Sequence, residues 1–398
     1  MDVRSDFPFF ENNSNEPIIY LDNAATTQKP KPVLDSLIEF YSKNNSNIHR
    51  GVYRLAENAT DQFENVRKSI SSFINSEDSS QIIFTKGTTE SINLVAYSWG
   101  RKFLKQGDEI LISEMEHHSN IVPWKMVSEC TGAKLKFIPI NNIGELDEPI
   151  KYINKKTKLI SIIHQSNVLG TINNLDEIIT CARNYNCKVL IDGAQSISHM
   201  SIDVKKMDCD FFVFSGHKMM APTGVGVLYA KRELLEMMDP FLTGGEMINS
   251  VTKEDVSYNI LPWKFEAGTP NIAQVIGLGS AIDYIRKIGL DKIKNQCNFL
   301  LNTAINKISK IDGVSIYGNS KNKGPIITFN IENVHPYDLA QLLDQKNICI
   351  RAGHHCTQPL MNRLNISSSA RVSFYIYNTE DEIDILLDGI NKSISLLR

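Results

Sequence analysis

The stretch Asp210-Phe211-Phe212-Val213-Phe214-Ser215-Gly216-His217-Lys218 limits what this chain can fold into more than any other. Four apolar side chains in succession do not fit a half-exposed strand, in which polar and apolar residues alternate. They fit a strand covered on both faces, as in a parallel sheet sandwiched by helices. Val189-Leu190-Ile191, Leu159-Ile160-Ser161-Ile162-Ile163, Ile110-Leu111-Ile112 and Ile82-Ile83-Phe84 share that texture, and helical spacing lies between such runs, as at Ile92, Leu94, Val95 and Tyr97. Strand and helix alternate from about residue 80 to 230, which predicts an α/β domain on a mainly parallel sheet with helices on both faces. From roughly residue 275 the pattern becomes that of a smaller α+β unit. It has a long amphipathic helix over 272–288, strands at Ile326–Ile331 and Val372–Tyr375, and a terminal helix near 380–396 carrying Ile383, Ile385, Leu386, Leu387 and Ile390. The expected organisation is an N-terminal arm (1–18), a large domain (19–274) and a small C-terminal domain (275–398).

The ends of these strands carry the chemistry. An amine such as that of Lys218, partly desolvated where buried backbone gives way to a cleft, has its pKa lowered and becomes nucleophilic near neutral pH. A lysine closing a strand at the surface would look the same on this stretch alone. Asp192, in Asp192-Gly193-Ala194-Gln195, ends the strand pattern one unit upstream, as a neighbouring strand of a parallel sheet should. Gly87-Thr88-Thr89-Glu90 follows Ile82–Thr85 and opens a helix, where free N–H groups, hydroxyls and the helix dipole make an anion site or, more plainly, an N-cap. A covalent lysine, an acid partner for a ring nitrogen and a phosphate site are the requirements of pyridoxal 5'-phosphate.

Together with Phe265-Glu266-Ala267-Gly268-Thr269-Pro270-Asn271 and Arg351-Ala352-Gly353-His354-His355-Cys356, these stretches resemble the class V aminotransferase family. The resemblance is strongest to its cysteine desulfurases of the Suf type and runs in the same order over nearly the whole chain. It implies the pyridoxal-phosphate-dependent transferase fold of type I, with a mainly parallel seven-stranded sheet in the large domain and a smaller α+β C-terminal domain. It also implies roles. Lys218 would hold the cofactor, Asp192 would keep the ring nitrogen protonated, and Gln195 would bond the ring oxygen. Thr88, Thr89, Ser215 and His217 would take the phosphate, and Thr269 would touch that of the other subunit in a homodimer. His117 would stack on the ring and pass protons. Asn167, Arg351 and Arg371 would hold the substrate, with His49 near the shared site. The polar segment from Gly245 to Trp263 would be a hairpin reaching the partner.

The seven cysteines are odd in number and scattered, with no Cys-x-x-Cys pair, which argues against a disulfide framework or a cysteine-rich metal site. Most are expected to be small core residues, Cys209 and Cys349 beside strand patterns above all. Cys356 stands apart, because a glycine permits a tight path there while an arginine and two imidazoles favour thiolate over thiol. His354, His355 and Cys356 might suggest zinc, but three adjacent side chains do not readily close a tetrahedron and no fourth ligand is nearby in sequence. The resemblance implies that L-cysteine enters, alanine leaves and sulfur stays on Cys356 as a persulfide. An acceptor protein resembling SufE or SufU would then take it toward iron–sulfur cluster assembly. The short segment from Arg351 to Cys356 is that of the Suf type, so the acceptor must come to the site. A selenocysteine lyase acting on L-selenocysteine, another class V enzyme and an idle metal-binding scaffold are the alternatives. A net charge of -3 gives no reason to expect nucleic acid or an anionic membrane, and no apolar run approaches spanning length. The first residues lack a basic region followed by an apolar core, so a cytoplasmic location is expected.

Overall fold

The computed structural model describes residues 3–398. After a short strand, β1 (Ile19–Tyr20), the chain lays down β2 (Ile82–Thr85), β3 (Glu109–Ser113), β4 (Lys134–Ile138), β5 (Thr157–Ile163), β6 (Lys188–Asp192), β7 (Phe211–Ser215) and β8 (Gly226–Ala230). Strands β2 to β8 form one seven-stranded sheet in the order β2-β8-β7-β6-β5-β3-β4, and only β8 runs against its neighbours. The exception follows from connection length: the chain between Ser215 and Gly226 is too short for a helical crossover and returns directly.

The doubly covered strands predicted from the apolar runs are found. Phe212 and Phe214 enter a cluster shared with helices Arg54–Phe73 and Ile272–Ile288, while Phe211 and Val213 enter the opposite cluster, around Trp99 and Trp124. All four are fully buried. Each side chain of this kind contributes about 1.5–3 kcal/mol on burial, so the sheet's register is strongly fixed. Gly193 is required beside them, because a Cβ there would lie 2.1 Å from Cζ of Phe212. Strand β4 was not foreseen; Lys134 and Lys136 are exposed on it, and charged side chains on an edge strand hide the apolar signal while blocking further pairing.

Past the sheet, β9 (Ile248–Val251) and β10 (Val256–Tyr258) form a largely exposed hairpin. The strands β11 (Val314–Tyr317), β12 (Ile326–Ile331), β13 (Ile348–Cys349), β14 (Arg351–Gly353) and β15 (Ser369–Ser373) follow. Four of them make an antiparallel sheet, β11-β12-β15-β14, sharing a core with helices Leu290–Ile308 and Glu380–Leu397. The remaining strand, β13, pairs in parallel with β1, so Ile19 and Leu21 pack in the C-terminal core. The helix Leu290–Ile308 joins both bodies: Ile293 and Cys297 face the large-sheet cluster, and Leu300, Leu301, Ala304 and Ile308 face the small one.

Two expectations change. The N-terminal residues, read as a lead-in without period, are packed down: the Phe7 ring is fully buried 4.7 Å from that of Tyr377, and Arg4 pairs with Glu382 at 2.8 Å. Of the cysteines, only Cys187, Cys209 and Cys297 are buried, and none is in a disulfide; Cys349, expected in the core, is half-buried because its neighbour Ile348 takes the core side of β13. Cys130 and Cys181 lie on helices whose inner faces are taken by Trp124 and Val127 and by Ile178, Ile179 and Ala182. No helix among the described residues is long and apolar enough to cross a membrane.

Candidate active site

Strands β3, β5, β6 and β7 all end on one side of the large sheet, and the residues just beyond them face β14 and β15 across a cleft of about 240 Å³. This is the edge where open α/β sheets bind ligands. The large body contributes Thr88, Thr89, His117, Asn167, Asp192, Gln195, Ser215, His217 and Lys218; the small one contributes Arg351, Cys356 and Arg371. Of the site residues predicted from sequence, only His49 and Thr269 lie elsewhere. His49 Nε2 bonds Glu64 at 2.9 Å and its Nδ1 lies 3.4 Å from a Glu246 oxygen, beside Phe63 and Trp263, and Thr269 is exposed.

At one end of the cleft the helix Thr88–Val95 begins after Gly87, which has no side chain to cap it; Thr88 N is taken by Ser215, and the later first-turn N–H groups are left for a ligand. Ser215 Oγ accepts from Thr88 N at 2.8 Å and lies 2.8 Å from Thr88 Oγ1. Glycine at 226 makes this junction possible, since a Cβ there would sit 2.3 Å from Gly87 Cα. The geometry suits an anion bearing several oxygens.

Asp192 and Lys218 occupy the floor. Asp192 is buried, its Oδ1 accepts from Ala194 N at 2.9 Å, and burial raises its pKa. Burial pushes the Lys218 amine down to about 8; Arg371 and Arg351 push the same way, while the negative charge of Asp192 opposes them. Gln195 Nε2 donates to Ala24 O at 2.8 Å, fixing its amide against the residues after β1. His117 is lowered to about 3, first by burial and then by Lys218, and is therefore neutral at physiological pH. Its Nδ1 accepts from Ser119 N at 3.1 Å, which leaves the ring proton at Nε2. The segment bearing it is anchored by Glu116, fully buried, which accepts from Ile163 N at 3.0 Å and Asn120 Nδ2 at 2.7 Å; burial raises this carboxyl to about 8. Glu116 was not singled out in the sequence, where a glutamate in a polar loop reads as solvated.

On the opposite wall Arg351 and Arg371 are direct cross-strand partners in β14 and β15. Like charges placed opposite each other are unfavourable unless an anion lies between or beside them. Asp22 supplies one, 2.7 Å from Arg371 Nη2, and Arg371 Nη1 donates to Asn167 O at 3.0 Å. Arg371 Nε has no partner although buried, and it is a donor left over for a carboxylate. Asp22 and Arg371 are too far apart in sequence for any local pattern to pair them.

Cys356 sits on a tight turn. His355 and Cys356 have φ of 51° and 57°, a left-handed conformation that costs roughly 1–3 kcal/mol per non-glycine residue. The surroundings hold it there. His118 N donates to Cys356 O at 2.8 Å, Gln358 N to His118 Nε2 at 3.0 Å, Cys356 N to His354 Nδ1 at 3.1 Å and Asn167 Nδ2 to His355 O at 3.0 Å. Two of these imidazole nitrogens are thus engaged by backbone, and no group of three or more His, Cys, Asp or Glu among the described residues is arranged to hold a metal ion.

The family profile Aminotransferase class-V matches residues 19–386. The chain is 49% identical over 395 residues to a probable cysteine desulfurase of Halalkalibacterium halodurans, covering 98% of this chain and 97% of that one. Its fold is similar to the apo structure of a cysteine desulfurase from Thermococcus onnurineus NA1 (TM-score 0.94, 40% identity, 100% of this chain and 98% of that one). It is also similar to the cysteine desulfurase CsdA of Escherichia coli in an S-sulfonic acid form (TM-score 0.92, 36% identity, 99% and 98%). The strand-end lysine and aspartate, the uncapped helix opposite them and the match along nearly the full length agree: the chain belongs to the class V aminotransferase family of pyridoxal-phosphate enzymes.

Proposed function

We propose that this enzyme is a cysteine desulfurase that moves the sulfur of L-cysteine onto Cys356 and passes it to an acceptor protein resembling SufE or SufU, for iron–sulfur cluster assembly in the cytoplasm. One observation carries the reading: Lys218 and Cys356, contributed by different bodies of the fold, line a single cleft. The residues fit the cofactor, with Lys218 and Asp192 on the floor and the uncapped helix start at Thr88 able to take its phosphate. When bound, pyridoxal phosphate supplies an electron sink that labilises the bonds at an amino acid's Cα.

The chain's own groups do the rest. Arg371, Arg351 and Asn167 fix the substrate carboxylate, and Asp192 keeps a proton at the ring nitrogen. Lys218, an amine with a pKa of about 8, is poised near working pH to take the Cα proton and to hand it back to Cα when alanine forms. Neutral His117, with its proton at Nε2, moves protons within the cleft. Cys356 Sγ attacks the substrate sulfur: an S–S bond forms as the Cβ–S bond breaks, and Cβ keeps the electron pair. The proton given up by the Cys356 thiol is balanced by one gained at Cβ, so the products are L-alanine and a persulfide. Two chains in a homodimer would complete each site. His49 and Thr269 lie outside the cleft of their own chain, and the hairpin region exposes Val251, Val256, Tyr258 and Ile260.

The test is mass spectrometry after incubating the holoenzyme with L-cysteine. One added sulfur on the peptide bearing Cys356, with alanine in the medium, is expected. Alanine formed at the full rate by Cys356→Ala would overturn the assignment.

A further inference from the structure

The turn bearing Cys356 is strained, yet its tether is short and its backbone is held from outside. Two of the outside bonds run through one residue, the third being Asn167 Nδ2 to His355 O. His118 N donates to Cys356 O at 2.8 Å on one side of the thiol, and His118 Nε2 accepts from Gln358 N at 3.0 Å on the other. We propose that His118 is a positioning residue for sulfur transfer: it fixes the left-handed backbone of Cys356 so that Sγ points into the cleft containing Lys218. The inference rests on the reading of Cys356 as the sulfur acceptor.

Three features support it. His118 adjoins His117, which lines the cleft, and the whole 116–120 segment is anchored by buried Glu116, so the hold comes from a rigid element rather than a loose loop. The bond from Gln358 requires an unprotonated Nε2. Burial, helped by the nearby His354, lowers the His118 pKa and keeps that acceptor available. The His354 ring lies 5.7 Å away and accepts from Cys356 N, so the two imidazoles take the backbone donors on either side of the turn. His118 itself does not line the cleft, which separates positioning from contact with substrate.

The experiment compares holoenzyme variants in single turnover, reading L-cysteine binding from the change in cofactor absorbance and sulfur transfer from persulfide on Cys356. His118→Ala is expected to leave the binding constant within about twofold and slow transfer by about 10- to 100-fold, the scale of a displacement near 1 Å. His118→Gln, whose Oε1 reaches the position of Nε2, is expected to restore most of the rate. His118→Asn, whose acceptor falls short, is not. Transfer at the normal rate in His118→Ala would overturn the inference, as would equal losses of binding and transfer, or a glutamine variant no better than alanine. If Cys356→Ala makes alanine at full rate, the underlying reading of Cys356 fails, and the inference with it, whatever the His118 variants do.

Discussion

The amine of Lys218 offers a quantitative test of the site's electrostatics that needs no cofactor. In the apoprotein its pKa should lie near 8 rather than at the usual lysine value, because burial penalises the ammonium and Arg371 and Arg351 repel it. At pH 7 a group of pKa 8 is about 9% neutral, against about 0.04% at 10.4, so Lys218 should react with an amine-selective reagent roughly 200-fold faster than a lysine of equal access and intrinsic reactivity. The assay is labelling rate against pH, read at the Lys218 peptide by mass spectrometry. The sign is fixed: only the neutral amine reacts, so the rate climbs with pH and levels off above about 8. Arg351→Gln removes a repelling charge and should move the midpoint up. Asp192→Asn removes the attracting one and should move it down. A midpoint near 10 in the wild-type protein would refute the claim that burial controls this amine.

Two further expectations concern the scaffold. Gly226→Ala places a Cβ 2.3 Å from the Gly87 backbone and should cost about 1–3 kcal/mol of stability while weakening cofactor binding; denaturant unfolding and a cofactor titration that both match wild type would contradict the close approach. Glu266→Ala strips the Arg67 guanidinium of one of its two carboxylates and Phe84 N of its acceptor. With both charged side chains nearly inaccessible, a loss of about 3–5 kcal/mol is expected in urea unfolding, and a loss below about 1 kcal/mol would show that Glu64 and the carbonyl of Ile82 suffice for Arg67.

Much of this protein is written locally. Unbroken apolar runs such as Phe211–Phe214 can satisfy their side chains only with cover on both faces, so they determined a mainly parallel sheet before any contact was known. Residues at the ends of such runs must emerge at the sheet's edge, which is why Asp192, Lys218 and the Thr88 helix start were legible as a constellation. Strand β4 was hidden because an edge strand tolerates charge, and the packing of Phe7 because three closely set phenylalanines, Phe7, Phe9 and Phe10, in a short polar lead-in set up no sustained period. Tertiary structure alone decided what meets across the cleft: Cys356 opposite Lys218, Asp22 on Arg371, His118 beneath the cysteine turn. These partners lie one to several hundred residues apart. Their pairing is set by how the two bodies pack against each other, and no short window of sequence records that.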